Sequence, residues 1–160
     1  GWRIGYAVGP ESLIKAASKI QSQSTSGACA IAQAASAAAL DKAGEDAERM
    51  RQAFARRCEL ATELFKEIPG VRVPQALGAF YVFPDFSAYY GSTIEGTEIT
   101  DSLALSELLL DKALVAAVPG GAFGADGHLR FSYALGESEI REGIGRVKDL
   151  LAKADPQPKG

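Results

Sequence analysis

With 160 residues, 47% of them hydrophobic and 23% charged, the chain has the make-up of a water-soluble globular domain. Its net charge is −3, and its basic and acidic residues are interspersed rather than blocked, which argues against nucleic acid or an acidic membrane surface as partner. The longest apolar stretches, Ala28–Leu40 and Ala113–Val118, fall short of the roughly 20 residues that cross a bilayer, and Gly1–Pro10 lacks the apolar core of a signal peptide.

Arg3–Val8 reads as a strand, because Ile4, Tyr6 and Val8 alternate with smaller or polar residues. Pro10 suits the first turn of a following helix and Glu11 complements its dipole; Leu13, Ile14, Ala17 and Ile20 share one face. Gln21–Gly27 is a hydroxyl-rich connection. A second helix, from Ala30 to about Asp41, is almost all alanine on its expected buried side. The third is long, from about Glu45 to Glu67. Ala47, Met50, Phe54, Cys58, Ala61, Phe65 and Ile68 repeat at steps of three and four, giving one apolar stripe, and Pro69-Gly70 ends it.

The pattern then changes. Val71–Val73 and Ala79–Phe83 read as strands, and Ser87–Glu98 as a loop. Thr100 or Asp101 can cap a helix running to about Asp111, with Leu103, Leu105, Leu108 and Leu109 buried. Leu114–Val118 is a short strand, Pro119–Gly124 a glycine-rich turn, and Leu129–Tyr133 another strand. The last helix runs from about Ser138 to Ala154 with Ile140, Ile144, Val147, Leu150 and Leu151 facing inward, before a polar tail. The part after Glu67 makes a small sheet of three or four strands with helices on one face, an α+β layer. The orphan strand Arg3–Val8 needs neighbours from elsewhere.

Candidate chemistry is sparse. Cys29 and Cys58 lack metal or redox spacing and read as reduced, buried thiols of a cytoplasmic protein. His128 is the sole histidine, so neither a zinc site nor a serine triad is expected. Arg3 and Arg130 each sit in a predicted strand between large apolar residues. Either could keep its head in water, or turn inward and hold a carboxylate or phosphate in its planar fork. Phe80 and Tyr81 are strand core or ligand-facing aromatics. Pro119–Gly124 taken alone is a structural turn rather than a phosphate loop.

Four segments in order change these weights: Gly1-Trp2-Arg3-Ile4-Gly5-Tyr6, Gly78-Ala79-Phe80-Tyr81-Val82-Phe83-Pro84, Val118-Pro119-Gly120-Gly121-Ala122-Phe123-Gly124 and Gly127-His128-Leu129-Arg130-Phe131-Ser132-Tyr133. Together they resemble the C-terminal part of a pyridoxal-phosphate (PLP) aminotransferase of class I/II, aspartate aminotransferase-like, with Gly121 in place of the family's usual serine. The resemblance implies an α/β PLP-transferase fold: residues 1–44 as the end of the large PLP-binding domain, 45–154 as the connecting helix and small C-terminal domain, and 155–160 as a tail. It implies cofactor binding through Arg3 to the phosphate, and substrate binding through Arg130 to the α-carboxylate, with Phe80 lining the pocket. The family's cofactor lysine falls before Gly1, so no catalytic residue is expected within the chain. The chain alone is expected to be inactive and not to retain the cofactor.

The implied reaction moves an amino group between an amino acid, aspartate or a similar one, and a 2-oxo acid, in a cytoplasmic homodimer. Two rivals stay open: an aminotransferase-like regulatory or oligomerisation domain, and another PLP enzyme of the same fold, a synthase or lyase.

Overall fold

The computed structural model describes residues 3–154. Gly1 and Trp2 of the opening motif, and the 155–160 tail, lie outside the described residues. The elements in chain order are helices α1 (Glu11–Ser24), α2 (Ala30–Lys42) and α3 (Gly44–Lys66), strands β1 (Tyr81–Val82), β2 (Thr93–Ile94) and β3 (Thr97–Glu98), helix α4 (Ser102–Leu108), strands β4 (Val118–Pro119) and β5 (Leu129–Ser132), and helix α5 (Glu137–Leu151). The chain divides into two compact units between Met50 and Arg51, within α3.

In the first unit Arg3–Pro10 is not a strand, contrary to the alternation in its sequence. A strand exists only where a ladder partner exists, and no described segment pairs with this one. Pro10 occupies the N-cap rather than the first turn of α1, its carbonyl accepting from the Leu13 and Ile14 amides. Helix α1 runs on to Ser24, through half of the stretch expected to be a connection, and buries none of its residues. In α2 only Ala32 is buried. Leu13, Ile20, Ile31 and Leu40 are 62–71% exposed, a large apolar surface for so few residues. Cys29 is exposed, against the expectation of a buried thiol; Cys58 is half-buried, and both are free.

The second unit holds the core. The stripe of α3 sinks toward its C-terminal end: Phe54 and Cys58 are half-buried, Ala61 and Phe65 fully so, and Ile68 follows just beyond. Phe65 lies 4.7 Å from Phe131 and meets Phe86 edge-on at 6.1 Å. The sheet is antiparallel in the order β1-β5-β4, with Tyr81 opposite Ser132, Val82 opposite Phe131 and Val118 opposite Arg130. Val82, Leu129 and Phe131 point into the core, so Tyr81, Arg130 and Ser132 stand on the other face. All five apolar residues expected to face inward on α5 are buried.

Four local readings fail. Arg72 makes only an isolated bridge to Asp85, which itself bridges to His128, so Val71–Val73 is not a strand. Within Ser87–Glu98 the chain forms a hairpin, β2 with β3, turned by Glu95 (φ 47°) and Gly96 (φ 83°). Helix α4, capped by Asp101 through the Ala104 amide at 2.8 Å, widens into a π turn, Leu109–Ala113. Leu105, Leu108 and Leu109 are buried but Leu103 is exposed. The turn stops at Leu114, whose φ of 54° shortens the expected strand to β4. No helix among the described residues is long and apolar enough to cross a membrane.

Candidate functional site

Arg130 sits in β5 between two buried neighbours, Leu129 and Phe131, so the pleat sends its side chain to the opposite face. There its guanidinium carbon lies 4.3 Å from the centre of the Tyr81 ring and 4.7 Å from that of Phe123. These cation–π contacts hold the head without neutralising it, at about 0.5–2 kcal/mol each. Its Nε is buried and has no hydrogen-bond partner. Among the described residues Arg130 has no carboxylate within ion-pair distance. A buried guanidinium N–H without an acceptor is costly and rare. A guanidinium so placed has the donors to hold a carboxylate or phosphate through two N–H groups.

Phe80 is 41% exposed, its ring 4.4 Å from that of Tyr81, so Tyr81 touches both Phe80 and Arg130. Phe80 also lines a cleft of about 570 Å³ with Phe54, Cys58, Ala79 and Tyr133. Ala79 is held at φ 59°, a conformation that disfavours a side chain, and its carbonyl accepts from the Tyr133 hydroxyl at 3.1 Å. Burial pushes the Tyr133 phenol up to about 12, with the Cys58 thiol adding to the effect, so it remains a donor at any ordinary pH.

Arg3 lies in the other unit, exposed, at φ 45°, and forms no ion pair with a described residue. The residues after it, Ile4, Gly5 and Tyr6, line a groove with Ser36, Leu40 and Ala47. Tyr81 thus contacts both Phe80 and Arg130, while Arg3 belongs to the first unit.

Around this face lie residues that the sequence did not single out. Phe83 stacks on His128 at 4.9 Å and meets Phe123 edge-on at 5.9 Å. The His128 Nδ1 is buried without a partner. Asp85, beside it in the backbone ladder, accepts from the Ser87 amide at 2.8 Å and from Arg72 Nη2 at 2.6 Å. Burial raises its carboxyl, the largest single effect. The Ser87 contacts and the Arg72 guanidinium outweigh it and leave Asp85 below the usual carboxylate range.

A carboxyl depressed in the folded state stabilises above its unfolded value of about 4, and that contribution disappears as pH falls through the folded value. Asp85→Asn should therefore cost about 1 kcal/mol at pH 7, and the difference from wild type should close in strong acid; urea denaturation at the two pH values checks it. Tyr81 was already a candidate ligand-facing aromatic in the sequence, and alternation from it could have found Phe83. Nothing in the local sequence marks Phe123 as a cover for an arginine.

The class I and II aminotransferase profile matches residues 1–147. The chain is 43% identical over 154 residues to the aspartate aminotransferase of Streptomyces avermitilis, covering 96% of this chain and 38% of that protein. It is 46% identical over 153 residues to a probable aspartate/prephenate aminotransferase of Aquifex aeolicus, covering 94% and 37%. Among solved structures, the Rhizobium meliloti aspartate aminotransferase superposes with a TM-score of 0.89 at 37% identity, over 96% of this chain and 39% of that one. The Thermus thermophilus aspartate aminotransferase with maleate gives 0.80 at 38% identity, over 93% and 37%. The chain therefore spans little more than a third of the length of these relatives.

Proposed function

We propose that this chain, which belongs to the class I and II aminotransferase family, supplies the substrate-carboxylate arginine of a PLP-dependent aminotransferase acting on aspartate or a similar amino acid and a 2-oxo acid. The observation that carries the reading is the buried, unpartnered Nε of Arg130 beneath two aromatic rings. The aspartate and aspartate/prephenate relatives support the substrate class. So does the Thermus thermophilus relative with maleate, itself a dicarboxylate.

Arg130 accepts the α-carboxylate in its fork. That pairing fixes the direction of the substrate's Cα–H bond and lowers the entropic cost of breaking it. Phe80, on the adjoining cleft, forms a wall that limits water around the side chain. Arg3 is the residue that would hold the phosphate of PLP; an exposed guanidinium without a described carboxylate partner suits a phosphate ester. When bound, the cofactor supplies an electron sink for the pair left behind by the Cα proton. Residues 1–44 read as the end of the PLP-binding domain and 45–154 as the linking helix and small domain. The exposed apolar residues of α1 and α2 favour a homodimer, and two free thiols favour the cytoplasm.

The test is a chimaera in which this chain replaces the matching stretch of the Streptomyces avermitilis enzyme. It is expected to transfer the amino group of aspartate to a dicarboxylic 2-oxo acid, while the 160-residue chain alone does not. A folded chimaera that holds PLP yet transfers from no dicarboxylic amino acid would overturn the proposal.

A further inference from the structure

The setting of Arg130 depends on a turn that β5 does not hold by itself. Phe123 closes the 3-10 turn Gly120–Phe123. Its ring covers the guanidinium although the residue is 49% exposed, so burial alone does not pin it. Beside the Gly120 amide's bond to the His128 carbonyl at 2.8 Å, the turn is tied to α4 by Ser102, the first residue of that helix and only 1% exposed. Its hydroxyl donates to Asp126 Oδ1 at 2.7 Å and accepts the Gly121 amide at 3.1 Å, and its own amide donates to the same carboxylate oxygen at 3.3 Å. Gly121 and Asp126 flank Phe123, so one hydroxyl joins both shoulders of the turn to the helix.

Further contacts point the same way. The Tyr90 hydroxyl donates to the Asp126 carbonyl. The Tyr90 phenol is pushed up to about 12 by burial, with the Asp126 and Asp101 charges adding to it, so it stays a donor. At Gly121 a Cβ would lie 3.2 Å from Asp126 Oδ1 and 3.5 Å from Ser102 Oγ, inside the space the clamp uses. Glycine at position 121 thus leaves room for the hydroxyl delivered from α4.

We propose that Ser102 is a positioning residue for Arg130. Through the Gly121–Ser102–Asp126 clamp it fixes the turn that carries Phe123, and with it the ring that sets the guanidinium. Ser102 touches no reacting atom. Replacing its hydroxyl leaves the Gly121 N–H and the Asp126 oxygen without this partner in a half-buried place. This inference rests on Arg130 as the carboxylate site, and its consequence is weaker binding of the acid rather than slower chemistry.

The test uses nuclear magnetic resonance on the full 160-residue chain, with succinate as probe. The Arg130 δ protons, lying by two rings, carry ring-current shifts. Ser102→Ala is expected to move them toward unshifted positions and to weaken succinate about fivefold, while the core methyls of Leu129 and Val147 stay in place. Asp126→Ala should behave likewise, and Asp126→Asn, which keeps an oxygen acceptor, should remain near wild type. In the chimaera, Ser102→Ala should raise KM about fivefold with kcat nearly unchanged.

The proposal is overturned if the δ protons do not move in Ser102→Ala, if Asp126→Asn does the damage of Asp126→Ala, or if both truncations collapse the core methyl shifts. A wild-type chain whose Arg130 does not respond to succinate would instead remove the carboxylate reading, and the δ-proton shifts would still decide the clamp.

Discussion

Arg130→Lys in the chimaera is expected to lower kcat/KM for aspartate by about 30- to 1,000-fold, corresponding to about 2–4 kcal/mol of lost transition-state interaction. Lysine keeps the charge but loses the planar fork and its stacking on Tyr81 and Phe123. Stability should move in the other direction or not at all. The Arg130 Nε is buried without a partner, so the folded chain without substrate gains no hydrogen bond from it. Arg130→Met, which loses two cation–π contacts but relieves a buried N–H without an acceptor, should leave the unfolding free energy from urea denaturation within about 1 kcal/mol of wild type while abolishing dicarboxylate turnover. Steady-state kinetics and denaturation on the same preparations separate the two effects. A large stability loss with modest kinetic change would mean that Arg130 is a structural residue.

Gly120→Ala should destabilise the second unit by more than about 3 kcal/mol. An added Cβ would lie 2.1 Å from the Ala125 carbonyl oxygen and 2.3 Å from that of His128, with the His128 carbonyl carbon at 3.0 Å. All three are backbone atoms, and both oxygens already accept hydrogen bonds: Gly120 N donates to the His128 oxygen at 2.8 Å, and His128 N to the Ala125 oxygen at 3.0 Å. No rotamer change relieves such contacts; the turn must open, and Phe123 moves with it. Gly124 provides the control. Its φ of 71° is left-handed but the space beside it is open, so Gly124→Ala should cost only about 1 kcal/mol. Thermal or urea unfolding of the two variants checks the contrast, and equal losses would show that the packing at Gly120 is not what the turn requires.

What the sequence revealed follows the physics of each element. Helix α5 was legible because Ile140, Ile144, Val147, Leu150 and Leu151 repeat at helical spacing and all are buried against one neighbour set. Arg130 was legible as a candidate because a strand arginine flanked by Leu129 and Phe131 must face away from them. Its aromatic covers were not, since Phe123 reaches it from a turn whose path is set by Ser102, 21 residues earlier in the chain. The β2–β3 hairpin was missed because Glu95 replaces the asparagine or aspartate that usually announces such a turn. The Arg3–Val8 alternation misled, since a pattern of period two describes a surface that could pair, and only a partner makes it a strand. Leu114 delayed the start of its strand to Val118 through backbone conformation, which composition does not encode.

The rings over Arg130 have a last implication. Tyr81 and Phe123 shelter the guanidinium while leaving its full positive charge uncommitted. Had an aspartate stood where Tyr81 stands, each arriving acid would first have to evict a resident counter-ion. With aromatic faces as its lodging, Arg130 in the role proposed above would admit an acid without such an exchange.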